Sequence, residues 1–439
     1  MGEELPLDLK SDRGRVRAAI LIYLAIFVGL NVAVWSWFAV HRNTPGHHFP
    51  VGDRMQRFGD LVLFTAKPQV MKDPRLPNYD NINGTLFPRN YPPLSVLVYL
   101  FLLQKCAPYA IPVFLVIVLG GVALACTLLW RRVRHFGGYR WYIGAAIFAT
   151  GLFGWGTEET VIRGNIEGVM WDAVCLGAAF YACRRYKASA MMFGVASCLK
   201  PYPVLWFVLL ALHRKYREVA LGIATGAMVT LASLLVIDRN PLRAYQSIGG
   251  KSNFFANYIV AFRPMEEMKG NHSLLESMKT VARVIRYHGF NFPFLESLVR
   301  PNDPLAWKLY HAYLPIAAVI GLVTLWGVWN KPVLNQVFAL ACVTTVLPLV
   351  SGDYTLSVLL IPMGFFLIYL LQDVAEGHTN LTLGKMLWFL LPCAWIMATE
   401  PLITLHAVLK CVAVLVLMGA SILIPMPSTL FGENPSHAT

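Results

Sequence analysis

The sequence predicts an all-α integral membrane protein, a bundle of about 12 transmembrane helices with further helices at the outer membrane surface. Three observations predict this class. Hydrophobic residues form 56% of the 439 positions and charged residues only 14%, which is more apolar side chain than a soluble core can bury. Long apolar runs recur along the chain. Clusters of Arg and Lys follow many of them, as is typical of cytoplasmic loops, and they account for much of the formal charge of +13.

The first span is predicted at Ala18–Val40, an apolar run long enough to cross the hydrocarbon layer and too long for a signal-peptide core. Four basic residues precede it: Lys10, Arg13, Arg15 and Arg17. By the positive-inside rule, the N-terminus is therefore cytoplasmic, and the segment after the first span lies on the opposite face of the membrane.

The apolar segment Pro92–Gln104 is short for a span, and a crossing there would leave the basic residues after Trp130 outside. We therefore expect an interfacial or re-entrant helix at this position. Further spans are expected at Tyr109–Trp130, Trp141–Gly156, Ile166–Cys183, Ser189–Leu199, Tyr202–Leu212, Val219–Ile237, Leu309–Trp329, Val333–Val350, Thr355–Leu371, Met386–Thr399 and Leu402–Ile424. Pro201 and Pro203 break two of these into half-length helices, which the membrane tolerates where the backbone lines a protein cavity.

This pattern divides the chain into a core at residues 1–372 and a C-terminal segment at 373–439, made of the last helices and a cytoplasmic tail. Two long outer loops are expected at 41–108 and 238–308, and the second contains an amphipathic stretch, Ser273–Gly289, predicted to lie on the outer surface. The eight cysteines lack CxxC spacing and predict neither disulfides nor a zinc site. The sequence has neither a phosphate-binding loop nor a Rossmann fingerprint, and we expect no nucleic-acid partner.

Ionisable residues at membrane depth are costly and indicate a functional site by default. The candidates in or beside apolar runs are Glu158, Glu159, Arg163, Glu167, Asp172, Lys200, Asp353, Glu400, His406 and Lys410. In the predicted orientation several of them lie near the outer ends of their helices, together with Asn165 and on the same side as Asp60. We expect a polar cavity there, where Gly164 and Gly168 allow close backbone approach.

Each candidate also has a structural alternative. Asn165, Asp353 and Asp60 could each cap a helix. Lys200 could extend its amine to the membrane surface, although its position at a broken helix favours an anionic ligand. His272, in the loop sequence GNHSL, could be an exposed histidine without a ligand.

Six short motifs occur in a characteristic order. They are FGDLVLF, YPPL, GNIEGVMW, LKPYP, GNHSL and SGDYT with LLIP after it. With these motifs, the chain resembles the multi-spanning glycosyltransferases of the C superfamily, specifically family 87, over about Ala18 to Leu371. The resemblance implies a GT-C-type bundle in the inner (plasma) membrane, with its site on the periplasmic or extracytoplasmic side. It also implies inverting transfer of a sugar, commonly mannose, from a polyprenyl-phosphate donor to a lipid or glycan acceptor.

Chemistry then suggests roles for the candidate residues. An acceptor hydroxyl needs a carboxylate to take its proton as it attacks, and Asp60, beside the membrane surface, is the predicted general base. Arg163 and Lys200 are predicted to hold the donor phosphate, whose negative charge grows as it leaves. The remaining predicted substrate-binding residues are Tyr91, Asn165, Glu167, His272, Asp353 and Tyr354. Because these cations already hold the phosphate, we expect neither a metal nor another cofactor.

Two other classes of protein remain open at this point. A transporter or flippase of lipid-linked sugars also uses broken helices and buried charges, but the sequence contains no inverted repeat. A glycolipid-binding protein without enzymatic activity is the other alternative.

Overall fold

The computed structural model describes residues 11–41, 61, 79–82, 85–88, 91–106, 108–133, 140–249, 271–287, 304–376, 381–398 and 404–431. Most of these residues are helical, which confirms the predicted helical class. The exception is a two-stranded antiparallel hairpin formed by β1 (Tyr79–Ile82) and β2 (Thr85–Pro88), with Tyr79 opposite Pro88. This hairpin lies in the predicted first outer loop, and the all-α prediction did not include it.

The helices are named in chain order. They are α1 (Asp12–His41), α2 (Pro93–Gln104), α3 (Ala110–Val133), α4 (Arg140–Phe153), α5 (Trp155–Arg163), α6 (Glu167–Ala182), α7 (Tyr186–Leu199), α8 (Phe207–Leu212), α9 (Tyr216–Ile237), α10 (Pro241–Gly249), α11 (Leu274–Tyr287), α12 (Pro304–Val328), α13 (Val333–Val346), α14 (Leu360–Glu376), α15 (Leu383–Met397) and α16 (Thr404–Leu423). Short 3₁₀ helices occupy Tyr202–Trp206, Asp353–Leu359 and Thr429–Phe431.

Several helices have the length and composition of membrane spans. Within the described part of the chain, five segments are long and apolar enough to cross a membrane: Asp12–Trp37, Ala110–Arg131, Tyr216–Ile237, Pro304–Val328 and Asp353–Gln372. Shorter apolar helices lie at Tyr202–Leu212, Val333–Val346, Leu383–Met397 and Ala407–Leu423. The chain is therefore a membrane protein, and the larger number of spans expected from the sequence stays a prediction.

Two predicted spans are not continuous α-helices, which the apolar pattern did not indicate. The span expected at Trp141–Gly156 ends at Phe153, because Gly154 adopts an extended conformation and a separate helix, α5, follows it. The span expected from Thr355 begins instead as a 3₁₀ helix at Asp353 and becomes α-helical at Leu360. Both irregular positions lie beside the residues that form the candidate site.

The predicted break around Lys200 is confirmed. Helix α7 ends at Leu199, and Lys200 is extended, with φ −148° and ψ 148°. The 3₁₀ helix Tyr202–Trp206 follows before α8 begins. The predicted short helix α2 packs beside this break, and its Ser95 hydroxyl donates a hydrogen bond of 2.5 Å to the Leu199 carbonyl oxygen. This bond satisfies a carbonyl that the end of a helix leaves without an intrahelical partner.

Close helix packing builds the bundle around one large apolar core. Helix α6 packs against α7, α7 against α9, and α5 against the 3₁₀ helix Asp353–Leu359. At the last contact, a side chain on Gly156 would place its Cβ 2.5 Å from the Ser357 backbone nitrogen, so this approach requires glycine. The C-terminal helices belong to the same packing, with α15 against α1 and α16 against α13.

The amphipathic helix predicted in the second outer loop is present as α11, but its orientation differs from expectation. It packs against α12 and α16. Its polar residues Glu276 and Lys279 are 3% and 2% exposed, and they form an ion pair of 3.0 Å. Val281 and Ile285 are exposed instead. The polar face of this helix therefore points into the protein, which periodicity alone cannot distinguish from a water-facing one.

Candidate active site

The candidate site is built around the turn between α5 and α6. Helix α5 ends at Gly164, whose φ of 66° is left-handed and favours glycine. The Asn165 side-chain oxygen accepts a hydrogen bond of 2.9 Å from the Glu167 backbone N–H. The Tyr99 hydroxyl of α2 accepts one of 2.9 Å from the Ile166 N–H. The Asn165 side chain thus stabilises the start of α6, although the N-cap residue itself is Ile166, and the turn fixes where the Arg163 and Glu167 side chains begin.

Lys200 is held by this turn. Its Nζ lies 3.1 Å from Glu167 Oε1 and 4.5 Å from the centroid of the Tyr91 ring. The side chains of Lys200 and Glu167 are 19% and 4% exposed. Tyr202 lies beside Glu167. The environment of Lys200 therefore contains both aromatic and polar side chains. Lys200 therefore does not extend freely to the membrane surface, and it remains partly open on one side.

Arg163 forms a second ion pair close by. Its Nε lies 2.5 Å from Glu159 Oε1, and its side chain is 42% exposed. The guanidinium carbon is 5.7 Å from the centroid of the Tyr354 ring, a cation–π distance. We call Lys200–Glu167 and Arg163–Glu159 the accessible ion pairs. Their cations are exposed enough to meet an anion, and the predicted residues Tyr91 and Tyr354 lie against them.

Asp353 occupies a different environment, which we call the Asp353 cluster: Trp155, His272, Asp353 and Lys410. The Trp155 indole N–H donates to Asp353 Oδ2 at 2.7 Å, and His272 Nδ1 lies 3.1 Å from Oδ1. Lys410 Nζ lies 3.3 Å from Oδ2. All four residues are at most 1% exposed. The helix cap at this point is Gly352, so the Asp353 carboxylate does not serve as the predicted alternative cap.

His272 is buried and not an exposed loop histidine, so that alternative is wrong. Its backbone N–H donates to the Ser351 carbonyl at 3.0 Å, and Asn271 forms a bridge with Gly352. Since the ring donates from Nδ1 to the Asp353 carboxylate, Nε2 can accept from the Thr355 hydroxyl, 3.2 Å away. Burial lowers the pKa of His272 below its ordinary value, although Asp353 opposes this shift.

The predicted site residues therefore fall into two sets. The accessible ion pairs bring together Tyr91, Arg163, Asn165, Glu167, Lys200 and Tyr354, whereas His272 and Asp353 are sealed in the Asp353 cluster. The predicted base, Asp60, lies outside the described residues. Its neighbour Leu61 is 1% exposed and packs in the apolar core. In the described part of the chain, no three or more His, Cys, Asp or Glu residues are placed to hold a metal ion.

Sequence reasoning missed some residues that hold this site together. Trp155 carries no sequence signal, because an aromatic residue near the end of a predicted span is ordinary. Tyr99 and Tyr202 were absorbed into apolar runs. In the structure the Tyr99 hydroxyl accepts a hydrogen bond from the turn, and Tyr202 lies beside Glu167. Lys410 did give a signal, since a lysine within a long apolar run is unusual, but its partner Asp353 is far away in the sequence.

Comparison with known proteins identifies the family of the chain. A search of curated proteins found no match. The sequence profile of glycosyltransferase family 87 matches residues 90–352. This region includes Tyr91, α5, the turn at Gly164, Lys200 and His272, and it ends just before Asp353. Because the match covers more than half of the 439 residues, the chain belongs to glycosyltransferase family 87.

Proposed function

We propose that this protein transfers a sugar, with mannose expected, from a polyprenyl-phosphate donor to a lipid or glycan acceptor at the outer face of the membrane. The anomeric carbon forms a bond to the acceptor oxygen, and its bond to the phosphate oxygen breaks. The products are the glycosylated acceptor and polyprenyl phosphate. A single direct displacement of this kind inverts the anomeric configuration.

The observation that carries the proposal is the pair of cations beside the α5–α6 turn. Lys200 and Arg163 come from different segments of the chain, and each is partly exposed beside an aromatic ring. The leaving phosphate gains negative charge in the transition state, and cations fixed in a sparsely hydrated site stabilise it strongly. Glu159 and Glu167 hold these cations in place until an anion arrives.

An apolar groove supports a lipid-linked donor. It has a volume of about 450 Å³ and is lined by α12, α13 and the segment Leu205–Leu212, with Gly321 and Val343 among its residues. This segment begins in the 3₁₀ helix that directly follows the break at Lys200. We propose that an isoprenoid chain whose phosphate is bound at Lys200 extends along this segment into the groove. A bulky substitution, Gly321→Phe, is expected to weaken binding of long-chain polyprenyl phosphates more than that of short ones.

Activation of the acceptor is assigned to Asp60. A hydroxyl attacks an anomeric carbon poorly unless a carboxylate removes its proton, and Asp60 follows the first span on the predicted outer side. In this proposal the site faces the periplasm or its equivalent, since the basic loops orient the chain in the inner (plasma) membrane. The reaction uses no metal.

The direct test is a transfer assay with purified protein and polyprenyl-phosphate mannose, with mass spectrometry of the lipid extract. Asp60→Asn should lower turnover by about 100- to 10,000-fold and leave donor binding intact. Asp53→Asn is the control and should retain activity. No glycosylated product from the wild-type protein with any polyprenyl-phosphate sugar would refute the proposed function, and a transporter would give that result.

A further inference from the structure

Lys410 lies in an apolar helix, α16, outside the region that matches the family. It is 1% exposed, and its Nζ lies 3.3 Å from Asp353 Oδ2 and 5.8 Å from the centroid of the Trp155 ring. An ammonium group within an apolar segment is costly, and such residues are retained mainly for function or for a specific buried partner. The partner is Asp353, so the role of Lys410 depends on what Asp353 holds.

Asp353 and the residues after it support α5 at both ends. Trp155 is the first residue of α5, and its indole N–H donates to Asp353 at 2.7 Å. Arg163 is the last residue of α5, and its guanidinium carbon lies 5.7 Å from the ring of Tyr354, the neighbour of Asp353. Between these ends, Gly156 allows α5 to approach the Ser357 backbone closely. The position of Arg163 is therefore set relative to the 3₁₀ helix that Asp353 begins.

Loss of the Lys410 ammonium would leave a buried carboxylate short of positive charge. An uncompensated charge in an apolar interior is strongly unfavourable. The carboxylate would relax by turning toward another donor or toward water. Either movement would displace the Trp155 indole and the adjacent Tyr354, and α5 would move with them.

We infer that Lys410 is a positioning residue for the donor site, which acts through Asp353 and α5 on Arg163. This inference rests on the proposed function, because it assigns Arg163 to the donor phosphate. Lys410 itself touches no substrate in this proposal. The ordinary alternative is that Lys410 only neutralises Asp353 so that the protein folds.

A double-mutant cycle separates the two roles, because coupled residues give non-additive effects. The probe is polyprenyl phosphate in detergent micelles, with affinity measured by calorimetry. Lys410→Met should weaken binding about tenfold in the wild-type background. In an Arg163→Gln background the same change should weaken binding by less than about twofold, because the residue through which Lys410 acts is already gone. Thermal stability should fall by a similar amount in both backgrounds.

Lys385→Met is the matched control, since Lys385 is an exposed lysine near the start of α15 in the same C-terminal region. It should change neither affinity nor stability. If Lys410→Met does not fold, the cycle is run with Lys410→Arg, which keeps the charge but changes its shape. Equal losses of affinity in both Arg163 backgrounds, or no loss in either, would overturn the positioning role.

The proposed function fails separately from this inference. If the wild-type protein transfers no sugar, the proposed function is refuted and the positioning role falls with it. If the wild-type protein binds polyprenyl phosphate and transfers sugar while the cycle is additive, only the role of Lys410 is refuted.

Discussion

The accessible ion pairs and the Asp353 cluster are two charged groups in one apolar bundle, and they differ in exposure. The cations Lys200 and Arg163 have side chains 19% and 42% exposed, and they pair with Glu167 and Glu159. In the Asp353 cluster, Lys410 and Asp353 are each 1% exposed, and the carboxylate has contacts with Trp155 and His272 as well. Tyr354 adjoins both groups, because it follows Asp353 and faces Arg163.

This difference in exposure determines which charged side chains can bind a ligand. In each accessible ion pair the cation is partly exposed, so it can change partner when an anionic substrate arrives. A fully buried pair is different, because removal of one member leaves the other without compensation. We therefore expect substitutions in the accessible pairs to change binding, and substitutions in the Asp353 cluster to change stability first.

The largest expected effect on stability is that of Asp353→Asn. The amide has nearly the same size but removes the charge that compensates Lys410, so stability should fall by about 3–5 kcal/mol. Thermal unfolding in detergent measures it. The control is Asp12→Asn in α1, where the carboxylate pairs with Arg15 at 37% exposure and about 1 kcal/mol or less is expected. Equal losses for the two variants would contradict the distinction between accessible and buried pairs.

The second prediction concerns Lys200. Lys200→Ala should weaken polyprenyl phosphate binding by about 10- to 100-fold, because a charge-assisted contact is lost. Thermal stability should fall as well, because the Glu167 carboxylate is only 4% exposed and loses its cation. Lys200→Arg should restore binding only in part, since a planar guanidinium cannot occupy the same position over Tyr91. Lys105→Ala, at an exposed lysine after α2, is the control. Unchanged affinity in Lys200→Ala would mean that Lys200 serves only Glu167.

The sequence allowed prediction of much of the fold, for clear physical reasons. Apolar runs of sufficient length located α1, α3, α9 and α12, and prolines located the break after Lys200. The break at Gly154 was missed, because glycines within an apolar run do not interrupt its hydrophobic pattern. The hairpin in the first outer loop was missed as well.

The site was predictable to a smaller extent. Charges in apolar runs correctly indicated Arg163, Glu167 and Lys200 as neighbours, since each lies at the end of a helix. The same signal could not separate accessible charges from sealed ones. Asp353 looked like Lys200 in the sequence and His272 like a loop residue, but Asp353 is buried against Trp155 and Lys410, and His272 is buried beside Asp353.

A third prediction uses His272, whose pKa is lowered by burial. In the unfolded chain, the pKa of the His272 side chain is the ordinary value of about 6.5. In the folded protein its pKa is lower, so the ring becomes protonated only at a lower pH. Stability should therefore be complete above about pH 6.5 and should decline below it, by at most about 1.4 kcal/mol per pH unit. Two charged residues face the ring: Asp353 raises the pKa of His272, and Lys410 lowers it.

The measurement is thermal unfolding from pH 7.5 to 5, with His272→Gln for comparison. The variant should be less stable at neutral pH but should lose less stability on acidification. His311→Gln, at an exposed histidine of α12, should keep the wild-type pH dependence. If the stability of His272→Gln declined with falling pH as steeply as that of the wild-type protein, the acid sensitivity would belong to other groups.

The smallest expected effect is that of Tyr99→Phe, at the turn that supports the accessible pairs. The Tyr99 hydroxyl accepts a hydrogen bond of 2.9 Å from the Ile166 N–H, and Tyr99 is fully buried. Its loss leaves a buried donor without this partner and should lower stability by about 1 kcal/mol. Because the turn lies between Arg163 and Glu167, donor affinity should fall too, by about two- to fivefold. Tyr109→Phe, at a tyrosine that is 67% exposed, is the matched control, and equal changes in both variants would mean that the Tyr99 hydroxyl does not hold the turn.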